Sequence, residues 1–264
     1  MTQFLLSLLL FFSTASVAVA GAVAEMPLAK VCEQLDREFK GAVPRQWGES
    51  VQGVHTRLKT REKVIALTLD ACGSRSGKGF DAALINFLEL YRIPATLFIN
   101  ARWIDANPEI FKKLSVNPLF EVANHGLLHR PASVTGRSVY GISGTGSVTE
   151  LVAEIESNAR KLFALTGKRT RYYRSGTAFY DEVAVQVSRR LEHEVIGFSI
   201  LGDAGATYHR EQVRAALLKA APGDIALLHM NHPEGETAAG VIDALPELQR
   251  RGFRFVKLSD YPLD

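Results

Sequence analysis

The chain has 264 residues, 47% of them apolar and 22% charged, a composition that excludes disordered, collagenous and low-complexity proteins. Its 31 Lys and Arg against 28 Asp and Glu leave a net charge of +3 with no basic stripe, which argues against nucleic acid as a partner. Two cysteines, Cys32 and Cys72, are too few for a disulfide-rich scaffold or an all-cysteine zinc site.

Residues 1–20 carry no charged side chain, an apolar centre from Phe4 to Phe12, and the ending Ala18-Val19-Ala20. That is the pattern of a cleaved signal peptide, with a second possible cut after Ala22-Val23-Ala24. A membrane anchor is the alternative, but the apolar core is shorter than the ~20 residues of a spanning helix. The expected location is therefore the periplasm or the medium, with no stable membrane anchor after cleavage. Residues 21–63 read as an N-terminal helical extension, because Leu28, Val31, Cys32, Leu35 and Phe39 recur at helical spacing. An oxidising compartment permits a Cys32–Cys72 disulfide between this helix and the main domain, contributing about 4 kcal/mol in the chain-entropy picture. Two separate buried thiols are the alternative.

From Val64 onward, short apolar runs alternate with amphipathic patterns. Strands are predicted at 64–70, 95–100, 119–124, 171–174, 195–200, 224–229 and 253–257, and helices at 81–92, 108–114, 147–165, 181–190, 211–220 and 238–250. Ser147-Val148-Thr149-Glu150 reads as a capping box, and Gly167 as the stop of the same helix. Such alternation predicts an α/β fold with parallel strands under helices, either an incomplete or distorted barrel or a doubly wound open sheet, as one domain over 64–264. The longest gap, 130–146, holds Gly141-Ile142-Ser143-Gly144-Thr145-Gly146 and reads as a loop on the rim of a site.

Both architectures place chemistry at the carboxyl ends of the strands, and the unusual polar residues fall there. Asp70 ends the first strand, His125 follows the third, Arg174 ends the fourth, Asp203 lies past the fifth and His229 ends the sixth. If 125–129 turns helically, His125 and His129 lie on one face and both imidazoles reach one metal. Asp70 then supplies either a third ligand or a general base, and Arg174 suits a bidentate grip on its carboxylate. His229, at the same mouth, suits a general acid.

These residues resemble the polysaccharide deacetylase (NodB-homology) family, carbohydrate esterase family 4. The likeness spans about 64–258 through Thr68-Leu69-Asp70, Asn124-His125 with His129, Tyr173-Arg174, a weaker stretch at 198–203, and Leu227-Leu228-His229. Arg92-Ile93-Pro94-Ala95-Thr96-Leu97-Phe98 and Gly252-Phe253-Arg254-Phe255-Val256 also fit. The resemblance implies a distorted seven-stranded (β/α) barrel and a divalent metal ion, with zinc expected, that serves removal of acetyl groups from an acetylated polysaccharide. It implies Asp70 as catalytic base, His125 and His129 as metal ligands, Arg174 as the residue orienting the base, His229 as general acid and Leu227 in the acetyl-methyl pocket.

Three departures stand out. The family's second acid, its third metal ligand, falls at Ala71, so Asp70 becomes a candidate ligand. If Asp70 binds metal, Asp203 or a metal hydroxide alone must act as base. The third motif continues Ser175-Gly176-Thr177, and the fourth offers the single acid Asp203, so Thr177 and Asp203 are taken as substrate-side residues. The expected activity is N-deacetylation of an amino-sugar polymer such as peptidoglycan, a chitin-like chain or an exopolysaccharide. The alternatives are an O-deacetylase of the acetyl xylan esterase kind, or a non-catalytic glycan-binding relative.

Overall fold

In the computed structural model, which describes residues 26–264, helix α1 (Leu28–Glu38) leads into β1 (Val54–His55), β2 (Val64–Ala71), α2 (Ala82–Leu90), β3 (Ala95–Ile99), α3 (Ala101–Ala106), α4 (Pro108–Val116) and β4 (Phe120–Asn124). Then come α5 (Val148–Thr166), β5 (Tyr172–Tyr173), α6 (Glu182–Arg190), β6 (Glu194–Ile196), β7 (Ile200–Leu201), α7 (Arg210–Leu217), β8 (Asp224–His229), α8 (Thr237–Arg250) and β9 (Arg254–Val256). The signal-peptide reading of residues 1–20 lies outside the described residues. Among those residues no helix is long and apolar enough to cross a membrane.

Nine strands form one sheet, eight of them in the order β1-β6-β5-β4-β3-β2-β8-β7 and β9 paired off this path with β2, and every strand pairing is parallel. β2 is buried along its whole length, as expected of a strand covered on both faces. Its first half pairs with β9 and its second half with β3, while β8 runs along the other edge.

Instead of one strand over 195–200, the chain forms β6 near one edge of the sheet and β7 at the opposite edge. Only Gly197, Phe198 and Ser199 join them, a reach of about 10 Å. Two far edges joined by so short a link force the sheet to curl into a barrel-like half-barrel. A bridge from Arg57 to Asp224 ties the chain after β1 to the start of β8. The doubly wound open sheet is thereby excluded.

Side-chain alternation along β2 divides the core. Ile65, Leu67, Leu69 and Ala71 pack outward with Leu84, Leu88, Val241 and Leu245 of the covering helices. Val64 and Ala66 point inward and share the barrel interior with Phe98, Ala123, Ile196 and Ile225. α1 lays Val31 and Leu35 in a separate cluster with Leu151, Val152 and Ile155 of α5.

Local sequence sets the helix starts that carry the site. Asp81, Asn100, Ser147 and Asp181 each accept a hydrogen bond from a backbone N–H of the first turn that follows. At α5 the Glu150 carboxylate accepts from Gly146 N rather than from Ser147 N, so the reciprocal arm of the expected capping box is displaced by one residue. Gly167, at φ +68°, closes this helix.

Candidate active site

Asp70 stands at the carboxyl end of β2, in register with His229 of β8 on one side and Phe98 of β3 on the other. Asp70 and His229 thus come from adjacent strands. Arg174, just past β5, is fully buried and reaches under them: Nη1 donates to Asp70 Oδ1 at 2.8 Å and to Thr68 Oγ1 at 2.9 Å. Nη2 donates to Gly197 O at 2.8 Å and Nε to Ile196 O at 3.2 Å, and the guanidinium lies 4.2 Å from the Phe98 ring centroid. A buried cation with all these partners is fixed in place. Burial alone would push the Asp70 carboxyl up, but the Arg174 charge, helped by His125 and His229, holds it below the ordinary carboxylate range.

The segment 125–129 is not helical. Gly126 (φ +75°) and His129 (φ +62°) both adopt the left-handed conformation, and this turn brings the two rings edge to face with centroids 4.9 Å apart. The imidazoles therefore meet by a loop rather than by helical i, i+4 spacing. Buried Glu154 of α5 holds the loop by accepting from Leu128 N at 2.9 Å and Arg130 N at 3.2 Å. A Cβ on Gly126 would stand 2.5 Å from Glu154 Oε1, so only glycine fits the approach. Asn100 donates to the carbonyls of His125 and Gly126 from the other side.

The two cysteines are free and far from a bridge, which corrects the disulfide expectation. Cys32, on α1, has the carbonyl of Thr149 as its partner. Cys72 lies in the site, its Sγ 3.7 Å from His125 Nε2. The reason is strand alternation: Asp70 faces the barrel interior, Ala71 turns outward into the core, and Cys72 returns to the face of Asp70. Burial raises the Cys72 thiol, yet the charge of His129 and the imidazoles of His125 and His229 bring it well below the ordinary thiol value.

His229 Nδ1 lies 2.8 Å from Asp203 Oδ1, while Asp203 Oδ2 accepts from His229 N at 2.7 Å and from Thr237 Oγ1 at 3.0 Å. Asp203 is thus enclosed behind His229 and does not reach the cleft, a correction to its placement on the substrate side. Burial disfavours the charged imidazole, but the Asp203 carboxylate outweighs it and holds His229 well above the ordinary histidine value.

These groups open into a cleft of about 460 Å³. Leu227 and Thr177 line it, together with His129, His229 and His232, and Tyr140 and Ile142 of the 130–146 loop reach its wall. Glu49 also lines it, and burial raises its carboxyl. The sequence reading missed Glu49, Glu154 and the placement of Cys72. For Cys72 the signal was available: it follows directly on β2, where continued alternation returns residue 72 to the face of Asp70.

A ring nitrogen of His125, one of His129 and the Cys72 sulfur all lie within 4.8 Å of one another. His125 Nδ1 is 3.0 Å from the Arg174 carbonyl, which fixes the ring and turns Nε2 toward the other two. His129 Nε2 is buried without a hydrogen-bond partner, and a bound cation would satisfy it. The residues present therefore fit a divalent metal.

Fold and site together define an α/β barrel-like protein whose carboxyl-end mouth holds a Cys72–His125–His129 group able to take a metal, beside the Asp70–Arg174 and His229–Asp203 pairs. A family model for polysaccharide deacetylase matches residues 57–196, and the chain belongs to that family. It is 24% identical over 207 residues to the peptidoglycan-N-acetylglucosamine deacetylase of Bacillus cereus, covering 77% of this chain and 90% of that one. The family 4 carbohydrate esterase PdaA of Bacillus subtilis superposes with a TM-score of 0.64 at 21% identity, over 89% of this chain and 88% of that one. A CE4-family pseudoenzyme of Bacillus anthracis superposes with a TM-score of 0.65 at 18% identity, over 78% of this chain and 67% of that one. Likeness at these identities establishes the fold.

Proposed function

We propose that the protein is a metal-dependent hydrolase that removes N-acetyl groups from an amino-sugar polysaccharide outside the cytoplasm. The observation that carries this reading is Asp70, fixed by Arg174 and held below the ordinary carboxylate range, standing in register with His229, which the Asp203 carboxylate holds above the ordinary histidine value. A pure binding module has no use for a base and an acid held in opposite charge states on neighbouring strands. The residues that would hold the metal are His125 and His129, with zinc as the expected ion. When bound, such an ion supplies polarisation of the acetyl carbonyl and a lowered pKa for water.

The protein's own groups do the rest. Asp70 accepts the proton of the attacking water through the carboxylate oxygen that Arg174 leaves free. His229 presents its Nε2 proton to the departing amine nitrogen, because Nδ1 is occupied by Asp203. Leu227 packs against the acetyl methyl, and Thr177 lines the same cleft on the sugar side. The apolar segment at residues 1–20, read as a signal peptide, supports a periplasmic or secreted location.

The test is acetate release from chitin oligomers, peptidoglycan and acetylated xylan, measured with EDTA and with added zinc or cobalt. The expected result is release from the N-acetylated polymers, abolished by EDTA and restored by zinc. Release from xylan alone makes the protein an O-deacetylase, and no release from any polymer makes it a binding relative.

A further inference from the structure

The site lacks the family's second acid, and a metal held by two imidazoles alone is under-coordinated on the protein side. We infer that Cys72 is the third protein ligand, so that a thiolate and two imidazoles hold the metal and Asp70 remains free to act as base.

Geometry favours sulfur over the carboxylate. Asp70 Oδ1 is engaged by Arg174 at 2.8 Å, and its Oδ2 is 3.6 Å from His125 Nε2, an adjacent position beside the ligand ring. Cys72 Sγ stands 3.7 Å from the same nitrogen, and only Cys72, His125 and His129 form a group of mutually close ligand atoms among the described residues. Two bonds of 2.0–2.3 Å to one ion bring ligand atoms to about the separations seen here. The alternation of β2 explains why the ligand moved by one residue. The methyl of Ala71 packs among Leu69, Leu97 and Ile99 in the outer core, so a carboxylate at 71 would be buried there without a partner.

Ligand chemistry then sets the metal class. One thiolate with two imidazoles suits zinc or cobalt and disfavours magnesium, calcium and manganese, which prefer all-oxygen sites. Three protein ligands leave a fourth tetrahedral position for water or the acetyl oxygen, the pattern of a catalytic rather than a structural zinc.

The inference rests on the metal-dependent reading above, and cobalt substitution separates the two. Purified mature protein carrying Cys32→Ala, to remove the second thiol, is titrated with Co²⁺. Absorption is recorded in the near-ultraviolet, where thiolate-to-cobalt charge transfer appears, and in the visible, where the ligand-field bands lie. The expected result is one Co²⁺ per chain with an intense charge-transfer band. Cys72→Asp keeps one Co²⁺ and its visible bands but loses the charge-transfer band. Cys72→Ala binds about a hundredfold more weakly, at least the loss that outer-shell partners of metal ligands produce. Ala71→Asp does not strengthen binding.

One bound Co²⁺ without the charge-transfer band overturns the thiolate ligand while leaving the metal reading intact. So does unchanged affinity in Cys72→Ala, or tighter binding in Ala71→Asp. No Co²⁺ bound at all removes the metal reading itself. The spectrum of the Cys32→Ala protein, in which Cys72 is the one remaining cysteine, decides the question even if a Cys72 variant fails to fold.

Discussion

Arg174 Nη1 lies 2.8 Å from Asp70 Oδ1 with both residues buried, although 104 positions separate them in the chain. Removing the cation leaves a buried carboxylate alone. Arg174→Met is predicted to lose about 3–5 kcal/mol of stability by denaturant unfolding and about 10²–10⁴ in kcat on an N-acetylated oligomer. Arg174→Lys keeps the charge but not the fork to Thr68, Gly197 and Ile196, and falls between.

Asp203 acts through His229 and is a positioning residue. Asp203→Asn is predicted to lower kcat with little change in KM, since Asp203 does not line the cleft. The alkaline limb of the pH–rate profile also moves to lower pH, because the carboxylate that holds His229 above the ordinary histidine value is gone. An unmoved alkaline limb assigns the general acid elsewhere.

Much of this arrangement was legible in the sequence. Asp70 and His229 stand at the ends of strands whose apolar runs are long enough to read, and parallel topology places strand ends on one face. The shortest strands were harder. β1, β5 and β7 have two residues each, too short for any periodicity, and the break at 197–199 has no local signature beyond Gly197. The encounter of His125 with His129 was anticipated through the wrong conformation. Its cause, a loop pinned by Glu154 from 24 to 26 residues away, is a tertiary contact that no local pattern encodes. Cys72 was misassigned because the export signal drew attention to pairing cysteines, while the alternation from Asp70 was the stronger physical constraint.

Glu154 gives a direct test of that loop. Glu154→Ala removes the acceptor for Leu128 N and Arg130 N and loosens the His129 ring, whereas Glu154→Gln keeps one acceptor oxygen. The alanine variant is predicted to bind zinc about 10–100-fold more weakly, by chelator competition, with the glutamine variant closer to wild type.

His193 is a buried structural histidine with its Nδ1 2.9 Å from the Leu191 carbonyl. Burial lowers its pKa from 6.5 to about 4. The unfolded chain therefore binds a proton that the folded chain refuses, so stability is full above pH 6.5 and falls as the pH drops toward 4. The loss from this residue approaches about 3 kcal/mol at the lower end. Urea unfolding across that window checks it, and His193→Gln, though less stable overall, is predicted to show a flatter dependence.

Asp70→Asn offers the most direct test of the hydrolytic centre, because asparagine keeps the shape and the contact with Arg174 but cannot take a proton. In a single-turnover assay of acetate release from a chitin oligomer with zinc-loaded protein, the variant is predicted to lose about 10²–10⁴ in rate while retaining its metal, with a lowered melting temperature because the buried Arg174 guanidinium loses its counter-charge. A variant that releases acetate at the wild-type rate contradicts the account.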